Sequence, residues 1–405
     1  MKHLVILFLL TLSIACAHKA DNDSKKASSC GLETRAAFDV GSGTTKMVLA
    51  QFDTCENRVT EVLKPTLLES GQPAEHEIAV AYKEDLEKAP KGQLSASILE
   101  EGATAISTLM TEAIRRGATK FAGVATSAFR LAKNKNQAVE KIEKATGIRL
   151  EVISQEREAA LGFYAGAAVA NQPIKDILVW DIGGSSMQLS LVIDGALETH
   201  LTRGKNSSVG FKNHVLQTVQ GVQTARLDTA SPNPLGEDQA TRVVSDIAES
   251  LKTEVAGFSG VAIQRLINER ALKVIGIGGV HYYSIRGQMG KKSGVAYSYN
   301  ELMDQLKLNA KKNDCELAGY SADCIVRMSI LSDKGTAATE VEQDELKSMH
   351  KALKYKPTDV TNMALVAGFM KGLGMDRVTP YNINMAHGIL GDPGVSYVSP
   401  GQGRK

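Results

Sequence analysis

Aromatic residues are scarce in this chain, 5% of its 405 positions with a single Trp. That scarcity argues against a protein built of base-stacking platforms. Charge of either sign is not in excess: 47 Lys and Arg face 45 Asp and Glu, a net +2. The basic stripe that marks nucleic-acid binding therefore has no compositional support. The apolar run over residues 4–12 is too short to span a bilayer comfortably. The five cysteines include no Cys-x-x-Cys pair, so zinc and dithiol redox motifs have no support. A Walker A loop, a Gly-x-Ser-x-Gly elbow and a His-Glu-x-x-His helix are also absent, which removes the common competing hydrolases.

What is present is glycine, 36 residues, in a chain 43% hydrophobic and 23% charged. Those proportions are ordinary for a globular protein. They favour a compact α/β chain with many tight strand-to-helix turns. The length suits two domains of about 150–200 residues each.

The N-terminus reads as an export signal. Lys2 and His3 precede the apolar run, and Ser13, Ala15 and Ala17 follow it. Residues 1–17 are the expected signal peptide and 18–32 a polar tether. Two processing routes stay open: lipidation of Cys16 as a lipoprotein, or cleavage at the small-x-small site Ala15-Cys16-Ala17. An exported protein fits an oxidising compartment. Four cysteines then remain, with three possible connectivities. Local pairing gives Cys30–Cys55 and Cys315–Cys324; buried thiols are the alternative.

The most informative stretch is Trp180-Asp181-Ile182-Gly183-Gly184-Ser185-Ser186-Met187-Gln188. An apolar strand ends in an acid, a Gly/Ser turn follows, and alternation resumes. Glycine at such a turn lets backbone N–H groups approach an anion closely. An acid at the strand end suits a hydrated divalent cation, since Mg²⁺ favours one or two carboxylates plus phosphate oxygens.

The same pattern occurs 142 positions earlier. Asp39-Val40-Gly41 matches Asp181-Ile182-Gly183, Ser42 falls on Gly184, Thr44 on Ser186, and Lys46 on Gln188. Each copy continues through a turn into a further strand, with Asp194-Gly195 a strong hairpin signal in the second. Between the copies, the pattern predicts helices over 95–116, 136–146 and 155–170 and strands over 121–126 and 149–153. Residues 65–90 read as loop with some helix near the end. A duplicated meander followed by helices predicts two domains of one fold, their turns facing across a cleft. Domain I is expected over 33–156 and domain II over 157–405, with residues from about 376 to 400 packing back on domain I.

Five motifs occur in an order that resembles the exopolyphosphatase/guanosine-pentaphosphate phosphatase (Ppx/GppA) family. They are the turn at Asp39, Ala125-Thr-Ser-Ala-Phe-Arg130 with Asn134, Val152-Ile-Ser-Gln-Glu-Arg-Glu158, the turn at Asp181, and Ile275-Gly-Ile-Gly-Gly279. The resemblance implies two ribonuclease-H-like domains of the actin-like ATPase superfamily with the active site between them. It implies Glu158 as the base that activates water, with Ser186 and Gln188 beside that water. Asp39 and Asp181 would hold Mg²⁺ or Mn²⁺. Gly41, Ser42, Gly43, Thr44, Lys46, Arg130, Gly183, Gly184, Ser185, Gly278 and Gly279 would bind phosphate, with Gly276 in the same last turn. Gln188 departs from the family's usual Glu and resembles the apyrase (GDA1/CD39) motif instead.

The expected function is an exported exopolyphosphatase-like phosphohydrolase, periplasmic and membrane-bound only through a lipid on Cys16. The alternatives are an apyrase-like nucleotidase and a non-catalytic polyphosphate- or nucleotide-binding lipoprotein. The expected partner is a polyphosphate or nucleotide polyphosphate substrate, with a homodimer as an open option.

Overall fold

The structure is a computed structural model and describes residues 30–56, 58–64, 76–170, 172–227, 229–252, 260–392 and 394–399. The leader, most of the tether and Cys16 lie outside the described residues. Among those described, no helix is long and apolar enough to cross a membrane.

Two mixed sheets of six strands carry the architecture. The first contains β1 (Leu32–Val40), β2 (Thr44–Asp53), β3 (Arg58–Leu63), β4 (Glu77–Ala79), β5 (Ala118–Ala125) and β6 (Leu150–Val152). Its order is β3-β2-β1-β5-β6, with β4 paired to β2. The second contains β7 (Ile177–Ile182), β8 (Ser186–Ile193), β9 (Ala196–Arg203), β10 (Lys273–Ile277), β11 (Tyr297–Ser298) and β12 (Arg377–Pro380), ordered β11-β12-β10-β7-β8-β9. In each sheet an antiparallel meander is extended by parallel strands, β5 and β6 in one, β10 and β12 in the other. The repeat is thus carried in the register: Asp39 pairs with Lys46 as Asp181 pairs with Gln188.

The helices follow the apolar periodicity. α1 (Tyr82–Lys88) and α2 (Ala96–Arg115) lie between β4 and β5; α3 (Ser127–Leu131) and α4 (Lys135–Thr146) follow β5; α5 (Gln155–Ala170) links the sheets. Ser95 caps α2 by accepting the Ile98 N–H. Strand β4 was not anticipated in the loop-like segment, because three residues are too few to show alternation.

Strand alternation sorts each sheet into two faces. On β1, Phe38 and Val40 join the core beneath α2 and α4, while Ala37 faces the other way. On β7, Leu178, Trp180 and Ile182 pack toward the helix Lys356–Leu373, while Val179 faces the other way. The two inner faces share a third core with α5 and the helix Met385–Leu390. Alanine and glycine let those helices in. A Cβ on Gly166 would lie 2.8 Å from Val179, and one on Gly388 would lie 2.4 Å from the Leu161 carbonyl. The chain then returns to the first sheet, where Val398 exchanges two 2.9 Å backbone hydrogen bonds with Phe121.

Of the two expected disulfides, Cys315–Cys324 is formed, with an S–S distance of 2.03 Å. It staples a small helical cluster that includes Met349. The Cys30–Cys55 expectation needs correction: these are two exposed thiols. They are neighbours, since the Gly31 carbonyl accepts the Thr54 N–H, and the adjacent Cys30 thiol pushes Cys55 up to about 11. They lie beyond the last ladder pair, Leu32 with Asp53, where strand pairing no longer sets their approach.

Candidate active site

Asp39 and Asp181 occupy corresponding inner-face positions, each one residue before its strand ends. The turns that follow are built alike. The Gly41 N–H donates to the Thr44 carbonyl and the Gly183 N–H to the Ser186 carbonyl, both at 2.9 Å. Both are braced from outside. Lys83 and Val80 donate backbone N–H groups to the carbonyls of Ser42 and Gly43; Ser208 and Val209, opening α6 (Ser208–Thr218), donate to those of Gly183 and Gly184.

The acids form one electrostatic group. Burial raises Asp39, against the opposing pull of Lys46 and a hydrogen bond from the Met385 N–H. Burial, then repulsion from Glu158, pushes Asp181 up to about 7; Lys46 opposes this and Asp39 adds to it. Three carboxylates and one lysine therefore feel each other at the mouth of the inter-sheet core.

Gly278 fits against this group. Its φ of +81° lies in the region that favours glycine, and a Cβ there would sit 2.2 Å from Asp181 Oδ1 and 2.8 Å from the Ile182 carbonyl. Gly279 has open space where a Cβ would go and leads into the helical turn Val280–Ile285. Gly276 requires a correction: it is inside β10, not in a turn, and backs onto the His281 ring, which a Cβ would meet at 2.7 Å.

Glu158 and Arg130 meet directly. Arg130 Nη1 donates to Glu158 Oε2 at 2.6 Å and to the Ile153 carbonyl at 3.1 Å. Both side chains are largely buried, 15% and 11% exposed, so the pair is held more firmly than a surface ion pair. Local structure accounts for the meeting. The Thr126 N–H bonds the Val40 carbonyl, which starts α3 beside the end of β1; the Glu158 N–H bonds the Ser154 carbonyl in the first turn of α5. Glu156 points to solvent. On the second turn, buried Gln188 donates through Nε2 to Ser186 Oγ at 3.2 Å. Ser185 accepts from Lys83 Nζ at 3.1 Å.

Three participants escaped sequence reasoning. Met385 and His387 come from the C-terminal helix, and Lys83 from α1. Burial drives His387 down to about 4, with Lys46 adding to the shift, so it is neutral at pH 7. Asn384 and His387 form a capping box, a local signal that says nothing of a cleft.

This donor set bears on whether a divalent cation fits. Among the described residues no three His, Cys, Asp or Glu side chains converge as a ready-made metal cage. Two acids beside Gly/Ser turns still suit a hydrated Mg²⁺-type ion, which takes few protein ligands and several oxygens from water or an anion. Burial lifts Asp181 most and repulsion from Glu158 and Asp39 adds to it; such a cation would relieve the repulsion.

Comparison with known proteins bears on the family likeness and the fold. Residues 82–249 match the model of the Ppx/GppA phosphatase family. Exopolyphosphatase 1 of Mycobacterium tuberculosis H37Rv is 31% identical over 112 residues, 27% of this chain and 33% of the relative. Exopolyphosphatase 1 of Mycobacterium leprae is 33% identical over 90 residues, 22% of this chain and 26% of the relative. The chain thus spans about a third of the length of the curated relatives it matches. The Aquifex aeolicus Ppx/GppA family member aligns over 89% of this chain and 97% of its own with a TM-score of 0.59 at 14% identity. An exopolyphosphatase from Cytophaga hutchinsonii aligns over 88% and 96% with a TM-score of 0.57 at 16% identity. The fold is the two-domain actin-like ATPase fold of those structures.

Proposed function

We propose that this cleft hydrolyses the terminal phosphoanhydride bond of inorganic polyphosphate. The observation that carries the reading is the Glu158–Arg130 pair beside two equivalent turns whose strands end in Asp39 and Asp181. Glu158 takes a proton from the attacking water, which Ser186 and Gln188 help to hold. Arg130 orients the Glu158 carboxylate, and its planar fork suits bidentate contact with the entering phosphate. The N–H edges of the two turns cradle the phosphate oxygens, where most catalysis of phosphoryl transfer resides. Asp39 and Asp181 would hold Mg²⁺ or Mn²⁺, which when bound neutralises charge on the phosphates. Lys46 supplies fixed positive charge to the same group of acids.

The signal-like leader and the Cys315–Cys324 bond support export, since such bonds persist in oxidising compartments. Gln188 keeps an apyrase-like nucleotidase as the second reading. Phosphate release from long-chain polyphosphate, ATP, GTP and guanosine pentaphosphate, with Mg²⁺ or Mn²⁺, separates the two; binding without release leaves a non-catalytic binder. Glu158→Gln is expected to lower kcat about 10²–10⁴-fold while substrate still binds. Full activity in that variant refutes the base assignment.

A further inference from the structure

One residue outside the recurring motifs touches both turns. Lys83 lies in the first turn of α1, and its backbone N–H bonds the Ser42 carbonyl at 2.9 Å. Its side chain crosses to the other domain, where Nζ donates to Ser185 Oγ at 3.1 Å. The same segment makes a second crossing, from Tyr283 Oη to Glu77 Oε2 at 3.3 Å. Lys83 also lies 3.5 Å from Glu87, but that carboxylate is 57% exposed and the pair contributes little. The lysine side chain itself is only 27% exposed. A partly desolvated ammonium bonded to a neutral hydroxyl has a weaker partner than an anionic oxygen would be.

Resting on the phosphohydrolase reading, we propose that Lys83 is a substrate-binding residue that selects condensed phosphates. Without substrate, Nζ ties the tips of the two turns together through Ser185. When a phosphate chain enters between the tips, Nζ leaves the hydroxyl for a phosphate oxygen, so one lysine serves as latch and as ligand. Orthophosphate, too short to fill both turns and reach the tips, does not gain this contact, which favours product release.

The test uses the whole protein. In calorimetric titration with tripolyphosphate, Lys83→Gln is expected to weaken binding about tenfold, the scale of one charge-assisted hydrogen bond. Lys83→Arg should restore most of the affinity, and Lys88→Gln, an exposed change at the other end of α1, should match wild type. In phosphate release the same loss should fall on KM, with kcat moving much less, and orthophosphate inhibition should be unaltered. Wild-type affinity in Lys83→Gln overturns the proposal, as does a loss confined to kcat. Because titration needs no turnover, an inactive wild type that binds tripolyphosphate refutes hydrolysis alone; a wild type that does not bind it refutes both.

Discussion

Gly278→Ala puts one methyl group where the site has no room. At φ +81° an L-residue is strained, and such a backbone costs about 1–3 kcal/mol. The new Cβ would also stand 2.2 Å from Asp181 Oδ1 and 2.8 Å from the Ile182 carbonyl. The second contact has little freedom to yield, because Ile182 pairs with Met187 in the β7–β8 ladder. Either Asp181 rotates out of place or the end of β10 lifts from β7. We expect a loss of about 3 kcal/mol in urea unfolding. The displacement of Asp181 should lower phosphate release about 100-fold or more, the cost of misplacing a site group by about 1 Å. Gly279→Ala is the internal control. Its backbone is right-handed helical and nothing lies within 4 Å of the added carbon, so it should be tolerated. A Gly278→Ala protein as stable as Gly279→Ala would refute the close packing of β10 on Asp181.

Two further changes probe the acids. Asp181 in the folded protein is raised to about 7, above the unfolded value near 4, so the native state holds the extra proton between these values and stability falls as pH rises through that window. Asp181→Asn should match wild-type stability near pH 4 and exceed it by about 2 kcal/mol at pH 8 without divalent cations, the cleft's partial access to water moderating the full effect; equal urea midpoints at pH 8 would refute this. Gln188→Glu places another carboxylate opposite Asp181 in the ladder and removes the amide donor to Ser186. It should lower metal-free stability by about 1–3 kcal/mol and raise the Mg²⁺ concentration dependence of stability and turnover, read by thermal unfolding and by metal titration of phosphate release.

The repeat was legible because it is a local property. Strand period and turn composition place Asp39 and Asp181 alike with no knowledge of what packs around them, and the paired Gly41–Thr44 and Gly183–Ser186 bonds follow from that. The ends of α2 and α4 were legible for the same reason, since Ser95 and the left-handed Gly147 are capping signals within a turn of the helix they bound. Glu158 and Arg130 were found only through their place in ordered motifs. As isolated residues they read as a helix-terminus acid and a surface cation.

What sequence determined by itself, then, was the duplicated strand–turn–strand unit, the two-domain fold class and the short list of acids at strand ends. Tertiary structure alone decided the rest. It set Arg130 against Glu158, sent the Met385 N–H to Asp39 and His387 toward Lys46, carried Lys83 across to Ser185, and left Cys30 and Cys55 unbonded. The physical reason is separation along the chain. Lys83 and Ser185 are 102 positions apart, and nothing in either local pattern depends on the other. Their meeting is fixed by the Ala/Gly-rich α5 and the C-terminal helix, which let the two inner sheet faces close on one core.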